Sequence, residues 1–546
     1  MTRSETPTVI ILGAGPSGIA TAHKLKWDLG FDNFIIYEKL PGPGGTWQAN
    51  RYPGCGCDIP SHLYSFSFNL NPNWSQDLVG QKEILQYMND TVDKFALREH
   101  MCFETECLGA TWNNDTTKWE VRLRDVKTER TFVAYGTVLI SAVGAISFPK
   151  RVNFPGMDKF EGKIMHTAEW DLDYDYRGKR MAVIGNGCSA AQVIPSVIRD
   201  VAFLKQYARG AQWYHERPNT TFSWAKMWAF KHIPLYNRWF RFRLFAMCDS
   251  LAGLYVAGED AAKSRKAVEE QAKEYIYGHT PSKYHGFIAP TFPLGCKRRI
   301  WDPGYLDSLS ETNMELVPEG IREFDQTGIV SSNGTKDEFD VIITATGFEV
   351  TNFLVPMDIV GSRGKNLREQ WQDSRGAQAY YGCFVHDFPN FAMLFGPNTF
   401  PGHNSALFAI ETSIEFLSKA MLAPIVDHKL CVIDVRHAAE ERFTNRTRAK
   451  LDQSVYESGC SNWFVNKHGK NVTSWPGYAI EYYKETFFPR HGDFNSSPGS
   501  SLWPFFMIWR WMRTVRGYQK ALGLAALFGL LRGRGRSLFR LGSGGM

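Results

Sequence analysis

Gly13, Gly15 and Gly18 open "TVIILGAGPSGIATAHKL" at a spacing that suits one task, the close approach of backbone amides to a diphosphate. A side chain at any of the three would stand between chain and ligand or between helix and strand. About twenty residues further on, "NFIIYEK" ends at Glu38, an acid placed to accept both hydroxyls of a ribose. The set recurs in "RMAVIGNGCSAAQVIPSV", where Gly185, Gly187 and Ala190 fill the three positions. Alanine suffices at the third because that site has only to let helix and strand pack closely. Where the first copy has Glu38, the second has "FLKQYARG", a strand expected to end at Arg209. A carboxylate there would repel a 2′-phosphate, whereas a guanidinium can hold one bidentately. The first copy therefore suits FAD and the second NADPH.

The elements that position these residues follow from the local pattern. A β-branched run, the glycines, and then Ala20, Ala22 and Leu25 at helical intervals predict strand, tight turn and helix. Each copy also closes alike, with "GTVLISAVGAISFPK" at 136–150 and "FDVIITATGFE" at 339–349 reading as buried strands that end in small residues. The expected fold class is α/β, with two Rossmann-like dinucleotide-binding domains, the second inserted into the first. The first domain is expected over 1–148 and 351–494, with "FPNFAMLFGPN" as its returning strand, and the second over 149–215 and 291–350. Between 216 and 290, aromatic residues and lysines at helical spacing predict a helical insertion that, with loops after 351, shapes a pocket, which the aromatic run at 213–245 would let be lined for a bulky ligand as readily as for a small one.

Bulk properties exclude several classes. The 546 residues are 44% apolar and 22% charged, so folded domains rather than disorder are expected. A net charge of +6 over this length gives no reason to expect a nucleic-acid partner. Ten cysteines form no CxxC pair, which argues against zinc, any other metal site and a redox dithiol. Reduced thiols, and an amino terminus that reads as a first strand rather than a signal peptide, point to the cytoplasm. The segment 495–546 differs, with eight cations, Arg510 to Arg540, among aromatic and aliphatic residues and no acid. Its longest uncharged apolar run, 521–531, would make a helix of about 16 Å against roughly 30 Å for a bilayer core. Such a tail either lies peripherally in a membrane interface or packs as a terminal helix.

"FEGKIMHTAEWD", between the two glycine patterns, matches the fingerprint F-x-G-x-x-x-H-x-x-x-W-(P/D) through Phe160, Gly162, His166, Trp170 and Asp171. On it the chain resembles the type I Baeyer–Villiger monooxygenases, a branch of the class B flavoprotein monooxygenases, with a texture similar to fungal members. A second family signature is carried by "GGTWQANRYPGCGCD", supplying Gly44, Gly45, Trp47, Tyr52, Pro53, Gly54 and Asp58. "GCKRRIWDPGYL" at 295–306 looks like the segment bearing the family's Lys-Arg pair. The resemblance spans roughly residues 8–490.

The resemblance implies NADPH reduction of FAD, addition of O2 to give a C4a-peroxyflavin, and attack of that peroxide on a ketone to yield an ester or lactone. A permanent cation must then stand beside the nucleophile, and arginine keeps its charge at any working pH. Arg298 is the expected catalytic cation and Asp58 its orienting partner, although Arg299 leaves the assignment open by one place. Lys297 is expected to join Arg209 at the 2′-phosphate, and Gly45 and Trp47 to pack near the isoalloxazine. His166 reads as a coupling residue in a hinge-like linker or as part of a plainly packed one. Gly162 is expected to supply a backbone conformation barred to other residues, and Trp170 an aromatic anchor. Rival readings are an N- or S-oxidising flavin monooxygenase and, from another class, a non-catalytic NADPH-binding protein at a membrane.

Overall fold

Apolar runs of four or five residues, flanked by glycine turns, become parallel strands buried on both faces. In the computed structural model, which describes residues 6–429, 431–460 and 462–497, they form two five-stranded parallel sheets. The first runs Phe391–Met393, Val138–Ser141, Val9–Leu12, Phe34–Tyr37, Met101–Cys102. The second runs Met314–Val317, Phe203–Tyr207, Arg180–Ile184, Val341–Thr344, Lys163–His166. Because the chain completes the second sheet before Phe391–Met393 joins the first, the second fold is inserted into the first.

Alternation along each strand divides the cores. Val9 and Ile11 pack with the helices on one face, while Ile10 and Leu12 pack on the other against Trp112, Trp119 and Val121. The latter three belong to an antiparallel meander of Thr105–Asn113, Lys118–Asp125 and Thr131–Gly136, edged in parallel by Asp358–Val360. In the second sheet Met181 and Val183 enter one core, Ala182 and Ile184 the other. Both faces being covered, the glycine turns at the strand ends are left as the places where a ligand can reach the backbone.

The segment between the sheets' central pieces is helical, with Trp224–His232, Tyr236–Ser250 and Glu259–Gly278. Its aromatic residues do not all turn inward as pocket lining. Trp224, Trp228, Trp239 and Phe242 are exposed, because each helix buries only the opposite stripe.

Three expectations change. Lys163–His166 is not a linker but the edge strand of the second sheet, in register with Val341–Thr344. Arg209 does not end its strand: pairing stops at Tyr207, and Arg209 lies exposed two residues beyond. The ten thiols are not all reduced, since Cys296 and Cys460, 164 residues apart, form a disulfide with 6.3 Å between their Cα atoms. Residues 495–497 of the expected tail complete the strand Phe494–Ser497, paired with Val432–Val435. The remainder, 498–546, lies outside the described residues. Among those described, no helix is long and apolar enough to cross a membrane.

Candidate active site

Two glycine turns define the ends of the site. Gly15 and Gly187 each stand at the N-cap of a helix, Pro16–His23 and Cys188–Val197, and neither helix has a side-chain cap, so the first-turn amides are offered to a ligand. At the first turn the Glu38 carboxylate is buried and accepts from the amides of Ala14 at 2.7 Å and Leu40 at 2.9 Å. Burial raises its pKa against the pull of those amides. This acid at the end of the second strand, beside an uncapped glycine turn, fits the ribose and diphosphate of FAD.

Gly45 closes the first turn from above. A Cβ on it would lie 2.7 Å from the Gly15 Cα, and its φ of +53° with ψ of −115° belongs to glycine alone. The short helix that follows buries Trp47, whose Nε1 donates to the Tyr64 hydroxyl at 3.0 Å. Gly13 and Gly18 approach backbone in the same fold, Gly18 with its Cβ position 2.0 Å from the Gly13 carbonyl oxygen. At the second turn Gly185 and the fully buried Ala190 repeat this packing. Gly187 does not, since a Cβ there meets nothing within 4 Å.

The loop 52–58 joins the two folds. The Tyr52 hydroxyl donates to Gln192 Oε1 at 2.8 Å, and Gln192 Nε2 donates to the Gly56 carbonyl at 3.0 Å. Asp58, at the end of that loop, accepts through Oδ2 from Arg298 Nε at 3.0 Å and Nη2 at 2.5 Å. The two side chains are only 21% and 27% exposed. Burial works against the Arg298 charge, but the Asp58 carboxylate outweighs it and holds the guanidinium above its already high range. Arg299 instead lies 4.7 Å over the Trp301 ring, so Asp58 meets Arg298 and not its neighbour.

Around the guanidinium are residues that local patterns did not single out. Phe400 lies 5.5 Å below it and meets Trp463 edge-on at 5.3 Å. Cys188 stands beside it, its thiol pushed up to about 11 mainly by burial. Tyr255 comes from the helical insertion and places its ring 5.8 Å from that of His403. Only the Gly-Pro turn preceding Phe400 gave any sequence signal. Cys55 and Cys57 lie free in the same loop, and burial lifts Cys55 to about 12 and Cys57 still further, which suits packing and not thiolate chemistry.

Lys297 extends toward the second turn. Its Nζ is 3.8 Å from the Cβ position of Gly210, next to Arg209, and 4.6 Å over the Phe292 ring. Burial lowers its pKa. The fingerprint residues are brought together elsewhere on the second fold. His166 is buried, its Nδ1 accepts from the Ala168 amide at 3.0 Å, and its ring meets Phe348 edge-on at 6.1 Å. Burial also lowers the His166 pKa. Trp170 is buried against Tyr176, and Asp171 pairs with Lys163 at 2.7 Å. His166, Lys163 and Asp171, with Arg151, Glu169 and Thr344, line a cavity of about 210 Å³, and Trp170 is not part of its lining. Gly162 has no left-handed conformation. It is required because a Cβ would fall 2.5 Å from the Phe160 ring and 2.6 Å from the Asp340 carbonyl oxygen.

The sequence matches the flavin-binding monooxygenase-like family over residues 59–231 and an NAD(P)-binding Rossmann-like domain over 11–80. A Baeyer-Villiger monooxygenase of Pseudomonas aeruginosa is 35% identical over 478 residues, which is 87% of this chain and 88% of that protein. One from Streptomyces coelicolor is 33% identical over 486 residues, covering 88% and 91%. Among solved structures, the closed form of cyclohexanone monooxygenase superposes with a TM-score of 0.80 at 26% identity, over 90% of this chain and 99% of that one. The OTEMO complex with FAD and NADP reaches 0.77 at 23% identity, covering 90% of this chain and all of the other, a likeness of fold.

Proposed function

We propose that this chain, which belongs to the Baeyer–Villiger monooxygenase family, uses Arg298 as the fixed cation of a reaction that inserts one atom of O2 beside a ketone carbonyl to give an ester or lactone. Bound FAD and NADPH supply the electrons and the activation of O2. The chain's own residues hold the two cofactors and set the charge around the carbonyl.

Arg298 carries the reading. A positive charge that no working pH removes favours the anionic form of an oxygen nucleophile and the negative charge that develops on oxygen as a carbonyl is attacked. Asp58 fixes the guanidinium through Nε and Nη2, and Nη1, which takes part in neither bond, is the edge available to the reacting oxygens. The loop 52–58, anchored on Gln192, keeps this pair between the two turns as cofactors exchange poses. Phe400 and Trp463 would exclude water and set the shape of the ketone that fits.

Lys297 and Arg209 grip the 2′-phosphate of NADPH, one half-buried and one exposed. Gly13, Gly15, Gly18, Gly45, Glu38 and Trp47 hold FAD, and Gly185, Gly187 and Ala190 the second dinucleotide. His166 couples the edge strand of the second sheet to the closing segment at Thr344–Phe348 and moves no proton of the substrate. The tail 498–546 makes peripheral contact with a membrane. Its composition supports this, and deletion of 498–546 with unchanged membrane sedimentation would dismiss it.

The deciding experiment incubates the purified protein with NADPH, O2 and a panel of linear, monocyclic and polycyclic ketones and identifies products by mass. Ester or lactone carrying one added oxygen is the expected result. Oxygenation of amines or sulfides alone would replace it with heteroatom oxidation, and failure to oxidise NADPH would leave only a nucleotide-binding role.

A further inference from the structure

We propose that the outer face of the helical insertion, formed by Trp224–His232 and Tyr236–Ser250, is a docking surface for an anionic lipid membrane.

The argument begins with which way the rings turn. Phe230, Tyr236 and Phe240 converge, with ring centroids 5.0–5.2 Å apart for the pairs Phe230–Phe240 and Phe230–Tyr236, and pack against Phe222 and His62. The opposite stripes are therefore presented outward. Trp224 is 75% exposed, Leu235 74% and Phe242 64%, with Trp228 and Trp239 about half exposed. Trp239 and Phe242 stand at i and i+3 on one side of the helix Tyr236–Ser250, and Leu235 is its N-cap. Folded monomers seldom leave so many large apolar side chains in one place without a partner.

Charge identifies the partner. From Arg217 to Cys248 the chain has no Asp or Glu, while it carries Arg217, Lys226, Lys231, Arg238, Arg241 and Arg243. Lys226 and Arg241 turn inward, onto the Phe222 ring and onto Glu411. Lys231, Arg238 and Arg243 are exposed and form no ion pair among the described residues, and the Arg243 guanidinium lies 5.0 Å over the Trp239 ring. A second copy placed symmetrically on this face would bring the same cations together. Residues 498–546 contain cations and no acid, so they too would be repelled. An anionic bilayer offers what both features require, an apolar phase for tryptophan, phenylalanine and leucine beside negative headgroups for arginine and lysine. The helices are held to the body of the protein from behind, where Asp249 accepts from the Ala479 amide at 2.7 Å and from Asn404 Nδ2 at 3.2 Å. The outer face can thus carry a membrane without displacing Arg298.

The test uses the full chain and vesicles of phosphatidylcholine alone or of equimolar phosphatidylcholine and phosphatidylserine. The parent should sediment with the anionic vesicles only, with a blue-shifted tryptophan emission that brominated acyl chains quench. Arg238→Gln with Arg243→Gln should weaken binding about fivefold per cation, roughly 25-fold together. Trp239→Ser with Phe242→Ser should abolish the blue shift, and all variants should turn over a water-soluble ketone as the parent does. The proposal is overturned if the parent stays in the supernatant, or if both double variants bind like the parent. It is equally overturned if the parent is retained by a soluble polyanion without any lipid-dependent emission shift, or is a dimer that Trp239→Ser with Phe242→Ser dissociates without lipid being bound.

Discussion

The two glycine turns are built on one pattern and finished differently. At the first, a second loop lies on the turn, Gly45 against Gly15, and a buried carboxylate is hydrogen-bonded to the turn's own amides. At the second, Gly187 faces open space and the charged residues stand around it, Arg209 exposed and Lys297 half-buried. A closed cradle suits a cofactor that stays, and an open turn ringed by cations suits one that arrives and leaves. The contrast lies in what covers the turn and not in the turn itself. Gly45→Val should therefore have the largest effect. It forces a β-branched residue into a conformation reserved for glycine and drives its Cβ into Gly15, costing about 3 kcal/mol or more. The purified variant should show a flavin-to-protein absorbance ratio near zero after gel filtration and a lowered Tm. Retention of flavin at the parent ratio would show that the cradle is less closed than its geometry.

Between the turns, Arg298 belongs to both, paired with Asp58 from the first fold and flanked by Cys188 from the second. Arg298→Ala should remove about 2.7–4 kcal/mol of transition-state stabilisation, a loss of roughly 100- to 1,000-fold in ester formation. Flavin reduction by NADPH, followed anaerobically by stopped-flow absorbance, should continue at near the parent rate. If reduction falls in parallel with ester formation, Arg298 serves the second turn and the carbonyl step must find another cation.

Much of this contrast was legible in the sequence, and the unreadable part has a physical pattern. Glu38 was legible because it follows its glycines at a distance set by one helix and one strand, whereas Arg209, expected at the matching strand end, lies two residues beyond it. Arg298 and Asp58 could be paired only through the family resemblance, for they are 240 residues apart. Gly162 was misread because its neighbours, the Phe160 ring and the Asp340 carbonyl, are brought in by turn and sheet, and spacing alone offers only a backbone explanation for a glycine. The Cys296–Cys460 bond joins segments that no local rule relates. The aromatic run at 213–245 looked like pocket lining because composition reports that rings are present, whereas only packing decides which side of a helix is covered.

The cations around the second turn can be tested through the choice of coenzyme. Lys297→Ala removes a charge-assisted contact worth about 1.5 kcal/mol, so the KM for NADPH should rise roughly tenfold while that for NADH stays put. Burial holds the Lys297 pKa below the ordinary lysine range, so its charge is lost earlier as pH rises. The ratio of KM for NADPH to KM for NADH should accordingly climb at alkaline pH in the parent and stay flat in Lys297→Arg, whose guanidinium remains charged. A flat ratio in the parent would remove Lys297 from the phosphate and leave the exposed Arg209 to act alone.

The smallest effect belongs to Gly187→Ala, and it is the sharpest contrast with Gly45→Val. The backbone at Gly187, φ −78° and ψ −171°, is open to any residue, and the added Cβ meets nothing within 4 Å. Stability should change by no more than about 0.5 kcal/mol, and flavin content should not change. The added methyl stands only where a diphosphate would approach, so the penalty should fall on NADPH alone, about 1 kcal/mol or roughly fivefold in KM. Steady-state kinetics against both coenzymes, with Tm measured on the same preparations, reads the two effects separately. A destabilised variant would mean that the second turn is as tightly covered as the first, and the distinction between a resident and an exchanging cofactor would no longer rest on the way the two turns are built.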